Sequence, residues 1–220
     1  MSSFLNVLRI QRWDDHRYYH HSLVNQSLHL LSAVSFVYAY LLMFNDPWLG
    51  ALIGWLVSMT SRQIGHLVFE PKDYDVVNQV THDYKEAIKV GYNLRRKIVL
   101  MSIWALSPLL LWLNPTLLGF IPAHTTWAGF ARHLGYLWLA LGVGGLLFRG
   151  VQLFLLKDVQ TGLVWMTKII TDPFHDIKLY YRAPGLLFRG GLIDRTLSSE
   201  FGSEGGGAGA LADAPDPVRL

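Results

Sequence analysis

Long stretches without Asp, Glu, Lys or Arg leave this chain few possible architectures. Four such runs cover residues 18–45, 47–61, 98–131 and 133–148. A helix that crosses a membrane needs about 20 predominantly apolar residues, and these runs approach or exceed that length. Charged residues make up only 16% of the chain and apolar residues 51%, whereas about 25% of a soluble domain is charged. The sequence therefore predicts an all-α integral membrane protein.

The apolar runs and the turn signals between them define about four transmembrane helices. Asn45-Asp46-Pro47 is a strong turn signal and separates the first two helices of the predicted hairpin. The four predicted spans are residues 27–44, 48–69, 94–113 and 133–156.

The segments outside the spans have distinct compositions. Residues 1–26 are expected to form a cytoplasmic N-terminal segment, and residues 157–201 helices that lie on the membrane surface. The Gly-rich stretch 202–220 predicts a disordered tail.

Positive charge is distributed very unevenly across this arrangement. Of 19 Lys and Arg residues, 18 fall on one side of a four-span protein, and Arg132 is the exception. The positive-inside rule then places both termini and the 62–97 loop in the cytoplasm, in a bacterial inner membrane or the endoplasmic reticulum. Because topology accounts for the basic residues and no nucleic-acid-binding motif is present, we expect no nucleic acid partner. The absence of Cys excludes disulfides, iron–sulfur clusters and cysteine nucleophiles.

Histidines gather at the cytoplasmic end of the predicted hairpin. Two antiparallel helices joined at residues 45–46 bring Asn25 level with His66, and His21 level with Glu70. Six of the nine histidines lie on this side: His16, His20, His21, His29, His66 and His82. Neutral imidazole with carboxylate is a ligand set for Fe(II), Zn(II) or Mn(II). Contacts with lipid headgroups or among the histidines themselves are the competing interpretation.

The helical period does not by itself decide which histidines share a site. His21, Asn25 and His29 follow one another at four-residue spacing and fit one helical face. His20 is nine residues before His29, so it joins that face only if a new helix starts after it. Ser22 or Asn25 can cap such a helix.

Two motifs resemble those of a membrane 2-hydroxy fatty acid dioxygenase family, which includes the fungal α-oxidation enzyme and bacterial relatives. The first is Tyr19-His20, four residues, Asn25, three residues, His29. The second is an apolar helix that ends in Gln-Ile-Gly-His-Leu-Val-Phe-Glu at residues 63–70. The resemblance covers about residues 13–113.

The resemblance implies an Fe(II)-dependent enzyme that uses O2 to cleave a 2-hydroxy fatty acid between C1 and C2. It implies His20, His29 and His66 as iron ligands, and Glu70 as a ligand or as a partner that fixes a His tautomer. After the Glu the family commonly has Gly or a basic residue and then Asn-Arg-Pro-Ala, whereas this chain has Pro-Lys-Asp-Tyr-Asp at residues 71–75. The second half of the chain resembles nothing in the family.

Further side chains near the motifs complete the predicted site. Arg62 lies one turn before His66 and is a candidate partner for a substrate carboxylate, or a marker of topology. His82 with Asp83 is a candidate additional ligand with its orienting group.

Other functions remain open at this point. A non-catalytic membrane scaffold or lipid-binding protein is the main alternative. The absence of an HxxHH box disfavours the membrane hydroxylases and desaturases, and His29 with His66 would suit a bis-His haem. The sequence leaves the oligomeric state open.

Overall fold

Every regular element in the described part of the chain is a helix, as predicted. The computed structural model describes residues 3–70, 73–75, 78, 80–92 and 94–194, so the predicted tail at 202–220 lies outside it. The helices in chain order are α1 (Phe4–Tyr19), α2 (Leu23–Leu42), α3 (Pro47–Ile53), a π-helical segment (Gly54–Met59), α4 (Thr60–Val68), α5 (His82–Ile88), α6 (Leu94–Leu113), α7 (Trp127–Leu156), α8 (Val159–Tyr180) and α9 (Ala183–Phe188).

The predicted hairpin is present and begins earlier than the apolar pattern indicated. Helix α2 starts at Leu23 because the Ser22 side chain accepts a hydrogen bond from the backbone N–H of Asn25. The chain reverses at Asn45, and Pro47 occupies the first turn of α3, where its missing N–H costs nothing. The returning arm continues through the π-helical segment into α4.

Two of the four predicted spans have the length and composition of membrane helices. They are Arg95–Leu113 in α6 and Trp127–Leu156 in α7. Only 11% and 17% of their most apolar windows is buried in the protein, unlike the core helices of a soluble domain. Large apolar side chains such as Leu106, Leu113, Phe148 and Leu155 are exposed on them. These two helices therefore present apolar surfaces that need a non-aqueous environment or a partner.

The structure does not support the other two predicted spans or the orientation of the termini. Helix α2 carries Asn25, Gln26 and His29 in its first two turns, and these polar side chains lower its hydropathy. The returning arm is divided into three helical pieces, of which the last contains Arg62 and His66. Polar residues thus lower the hydropathy of α2, and the π-helical segment Gly54–Met59 divides the returning arm.

Helix α7 begins six residues before the predicted span because Thr126 caps it, its side chain accepting from the N–H of Gly129. The helix then packs against the hairpin through a tryptophan cluster. Trp55 donates to the carbonyl of Trp138 at 2.8 Å, and Trp138 donates to Ser107 Oγ at 2.8 Å. Leu111, Leu134 and these tryptophans form a core.

Helix α8 is packed inside the helical assembly rather than only along its surface. It contacts α1, α2 and α7, and Gly162, Val164 and Trp165 are buried on it. Its last residue, Tyr180, forms a second small core with Leu23 and Ala183. The segment predicted to lie on the membrane surface therefore closes the site from one side.

Candidate metal centre

Three histidines from three separate segments converge at the open end of the hairpin. His20 follows α1, His29 lies in α2 and His66 lies in α4. One potential ligand nitrogen from each lies within 4.8 Å of the others. The ring centroids are 4.1 Å apart for His20 and His29, 4.8 Å for His29 and His66, and 5.4 Å for His20 and His66. This group can hold a metal ion.

The break between α1 and α2 explains how His20 reaches the group. Helix α1 ends at Tyr19 and α2 starts at Leu23. His20 and His29 are therefore not on opposite faces, as they would be on one continuous helix. The Asn25 side chain donates to the carbonyl of Tyr19 at 2.8 Å and Gln26 donates to that of His20 at 2.9 Å. These two bonds hold the break between α1 and α2, at which His20 lies close to His29.

The group fits a metal because three of its six ring nitrogens are buried without a hydrogen-bond partner in the described part of the chain. His20 Nε2 and both ring nitrogens of His29 are buried without a hydrogen bond among the described residues. A buried polar atom left unpaired costs about 1–3 kcal/mol. Burial also lowers the pKa of His20 well below its ordinary value, so the imidazole is neutral, the form that binds metals.

Each imidazole faces an outer partner through Nδ1. Glu70 Oε2 is 2.8 Å from Nδ1 of His66, and the Tyr180 hydroxyl is 3.0 Å from Nδ1 of His20. Asp176 Oδ2 lies 3.8 Å from Nδ1 of His29. Because Nδ1 is directed outward in all three cases, Nε2 is the atom available at the centre. The hydrogen bonds of His66 and His20 are of the kind that fixes the tautomer of a metal-binding histidine, whereas Asp176 lies beyond hydrogen-bond distance of His29.

The other predicted site residues lie around this group rather than in it. His21 is not a member, and its Nε2 is 3.5 Å from the Asn78 amide. His82 lies at the start of α5, also outside the group. Arg62 is near the histidines, but its guanidinium lies 3.2 Å from Asp176 and 3.9 Å from Asp172.

Helix α8 places buried polar side chains beside the histidines, and the two sequence motifs do not include them. Lys168, Asp172, Asp176 and Tyr180 are all buried on it. They follow one another at four-residue spacing, which places them along one helical face. That polar stripe within an otherwise apolar segment was the available signal.

The stripe on α8 is held by opposite charges. Lys168 donates to Asp15 and, at 2.8 Å, to Asp172, and these carboxylates raise its pKa although burial alone would lower it. Burial alone would raise the pKa of Asp176, but Arg62 and His29 outweigh it and bring the pKa to about 2. The carboxylate of Asp176 is therefore ionised beside the histidines.

A cavity of about 270 Å³ opens beside the histidine group. His20 and His66 line it together with charged side chains from α1, α4 and α8. Its remaining wall is largely apolar and aromatic, from residues Phe36, Tyr40, Trp55, Met59, Leu100, Met101, Leu141, Leu146, Trp165 and Ile169. Apolar and aromatic walls with a few polar groups at one side are typical of a site for a mostly apolar small molecule.

The geometry is incompatible with a haem between His29 and His66. Their rings are in edge contact with centroids 4.8 Å apart. A porphyrin would have to lie between the two rings, and there is no space for it.

Comparison with models of protein families, with curated proteins and with solved structures finds no match for this chain.

Proposed function

We propose that this protein is an Fe(II)-dependent membrane dioxygenase that shortens 2-hydroxy fatty acids by one carbon. The observation that carries the proposal is the group of His20, His29 and His66 beside a cavity with apolar walls. Three neutral imidazoles leave coordination positions open, as an oxygen-activating iron site requires. The two sequence motifs contribute all three histidines.

Bound iron would supply O2 activation and a Lewis-acidic centre for the carboxylate and hydroxyl of a 2-hydroxy acid. The proposed reaction breaks the bond between C1 and C2. C2 becomes the carboxyl carbon of the shorter acid, C1 leaves as CO2, and the four electrons removed from the substrate reduce O2. The shorter acid, CO2 and one water account for all atoms of the 2-hydroxy acid and O2.

The chain's own residues would position the ligands and the substrate. Glu70 holds the His66 ring by its Nδ1, and Tyr180 does the same for His20. The apolar wall formed by Trp55, Met59 and Leu100 would receive the acyl chain and exclude water from it. The polar head of the substrate would then lie against the imidazoles.

The exposed apolar faces of α6 and α7 support the proposed membrane arrangement. Helices α6 and α7 would cross the bilayer, and the hairpin of α2 with α3–α4 would form the other two spans. The histidine end of the hairpin would lie at the cytoplasmic interface, of a bacterial inner membrane or of the endoplasmic reticulum. A 2-hydroxy fatty acid could then reach the cavity from the bilayer while its headgroup stays at the interface.

Metal content of the detergent-purified protein tests the proposal. After anaerobic loading with Fe(II), we expect close to one iron per chain in the wild type. His20→Ala, His29→Ala and His66→Ala should each lose at least about tenfold in iron affinity, whereas His21→Ala and His82→Ala serve as matched controls and should retain it. The loaded wild type should consume one O2 and release one CO2 per 2-hydroxyhexadecanoate.

Two outcomes would contradict the proposal. Absence of bound iron after loading, with fatty acid binding intact, would favour the alternative of a non-catalytic lipid-binding protein. If the iron-loaded protein did not consume 2-hydroxyhexadecanoate, the protein would bind metal without catalysing the proposed reaction.

A further inference from the structure

Four cationic side chains line the cavity beside the histidines, and they are not equivalent. They are Arg62, Lys89, Lys97 and Lys168. An ammonium or guanidinium in a partly dry cavity is costly unless a counter-charge faces it. Which of them already has such a partner decides which is available to a ligand.

Three of the four cationic side chains form ion pairs with carboxylates of the protein. Lys168 lies between Asp15 and Asp172. Arg62 lies against Asp176 at 3.2 Å.

Lys89 is the third paired cation. Its Nζ is 3.0 Å from Glu86, 3.8 Å from Glu70 and 4.0 Å from the ring centroid of Tyr19. Two carboxylates and an aromatic face therefore occupy this ammonium.

Lys97 is different from the other three. It makes no hydrogen bond or ion pair with any residue of the described part of the chain, yet it is only partly exposed and faces the cavity. It lies in the first turn of α6. Lys97 and His66 line the same cavity, so the ammonium and the metal centre face a common space.

The cavity changes from charged to apolar along its length. On the returning arm of the hairpin, Arg62 and His66 lie at one end, and Trp55 and Met59 lie about one to three turns away. On α6, Lys97 lies at the same charged end. Leu100 and Met101 follow one turn further along α6 and also line the cavity. Such a gradient fits a ligand with an anionic head and an apolar tail.

We propose that Lys97 is the anion-binding residue of this cavity and receives the carboxylate of a long-chain acyl ligand. The inference deepens the proposed function and rests on it for the identity of the acyl chain. It assigns to Lys97 the role that the sequence suggested for Arg62, because the guanidinium of Arg62 is already held by Asp176 and Asp172. A carboxylate on Lys97 would lie in the cavity that His20 and His66 also line.

Binding to the metal-free protein in detergent tests this assignment without depending on turnover. The probes are 2-hydroxyhexadecanoate and hexadecanol, which share a tail and differ in charge. Lys97→Gln should weaken binding of the acid about tenfold and leave binding of the alcohol unchanged. Lys97→Arg should restore most of the affinity for the acid. Arg95→Gln, a change at an exposed position in the same turn, is the matched control and should behave as the wild type.

Several results would overturn the assignment. One is an equal loss of acid and alcohol binding in Lys97→Gln, since that indicates a packing role. Another is unchanged acid binding in the same variant. Displacement of the acid by phosphatidylglycerol in mixed micelles would identify the group as a phospholipid site instead.

The two proposals fail in different ways. Selective loss of acid binding in Lys97→Gln, in a protein that binds no iron, would retain the role of Lys97 and overturn the dioxygenase. Iron-dependent turnover with an unchanged KM in Lys97→Gln would retain the dioxygenase and overturn the role of Lys97.

Discussion

Tyr180 links two histidines through a single buried hydroxyl. Its oxygen lies 3.0 Å from Nδ1 of His20 and 2.7 Å from Nδ1 of His16. Burial raises the pKa of Tyr180 well above its ordinary value, and burial lowers the pKa of His16 to about 4. The phenol therefore keeps its proton and can donate it to either imidazole. Metal binding through Nε2 of His20 requires that Nδ1–H of His20 donate to the phenol oxygen, with the phenol proton directed to His16.

Replacing Tyr180 with Phe tests this positioning role. Tyr180→Phe keeps the buried ring and removes only the hydroxyl, so the fold should persist while His20 loses its tautomer constraint. Loss of such outer partners typically lowers metal affinity 10–100-fold, and we expect a decrease in that range. Chelator competition measures it, and a thermal unfolding curve checks the fold. Tyr181→Phe changes an exposed neighbour and should have no effect; equal affinities in the two variants would contradict the role of Tyr180.

The residue identities of the centre could be predicted only in part. The two motifs indicated His20, His29 and His66, but the helical period favoured His21 over His20. His20 joins the group because the Ser22 cap begins a new helix at Leu23. Positions 20 and 29 therefore do not lie half a turn apart on one continuous helix. Neither Tyr180 nor Asp176 could be assigned, since contacts between residues about 150 positions apart depend on tertiary packing.

At the scale of elements, the site depends on the close approach of α2 and α4. Gly65 faces α2, and a Cβ at this position would overlap Asn25 Oδ1 and come within 3.4 Å of His29 Cδ2. Asn25 is completely buried and cannot move aside without losing its bond to the Tyr19 carbonyl. Glycine at position 65 therefore sets the distance between the helices that carry His29 and His66.

A single added methyl group tests this spacing. Gly65→Ala should destabilise the protein by about 1–3 kcal/mol, the usual cost of overpacking, and lower iron content by separating the two histidines. Gly144→Ala is the matched control, because a Cβ there meets nothing within 4 Å and alanine favours a helix. Chemical unfolding in detergent and metal analysis measure the two effects. If Gly65→Ala were as stable and as metal-rich as Gly144→Ala, the spacing argument would be wrong.

Elements differ in how far their sequences define them. Residues 94–113 were predicted as a helix and form α6 with those bounds. An apolar run of this length favours a helix over other local structures. Helix α8 was expected on the membrane surface. Its buried stripe of Lys168, Asp172 and Asp176 is stable inside the assembly only because Asp15 and Arg62 from other helices neutralise it, and a local pattern does not report such partners.

On the scale of the whole molecule, charge and apolar surface are segregated. The histidine group, its carboxylates and the cationic cavity wall lie at one end of the helices. The apolar exposed faces belong to α6 and α7, and the connection between these helices includes Leu118 and Phe120, which are 84% and 86% exposed. If α6 and α7 cross a bilayer as an antiparallel pair, that connection and α5 emerge on opposite sides.

The absence of cysteine makes this arrangement directly measurable. Single cysteines at Leu118→Cys and Asp83→Cys, both exposed positions, would be the only thiols in their chains. In intact bacterial cells, a membrane-impermeant maleimide should label Leu118→Cys, and it should label Asp83→Cys only after lysis, because the positively charged segments stay in the cytoplasm. The cysteine-free wild type is the background control. Labelling of both positions before lysis, or of neither, would place both on the same side of the membrane. That result would overturn the proposal that α6 and α7 cross the bilayer and that the histidine site faces the cytoplasm.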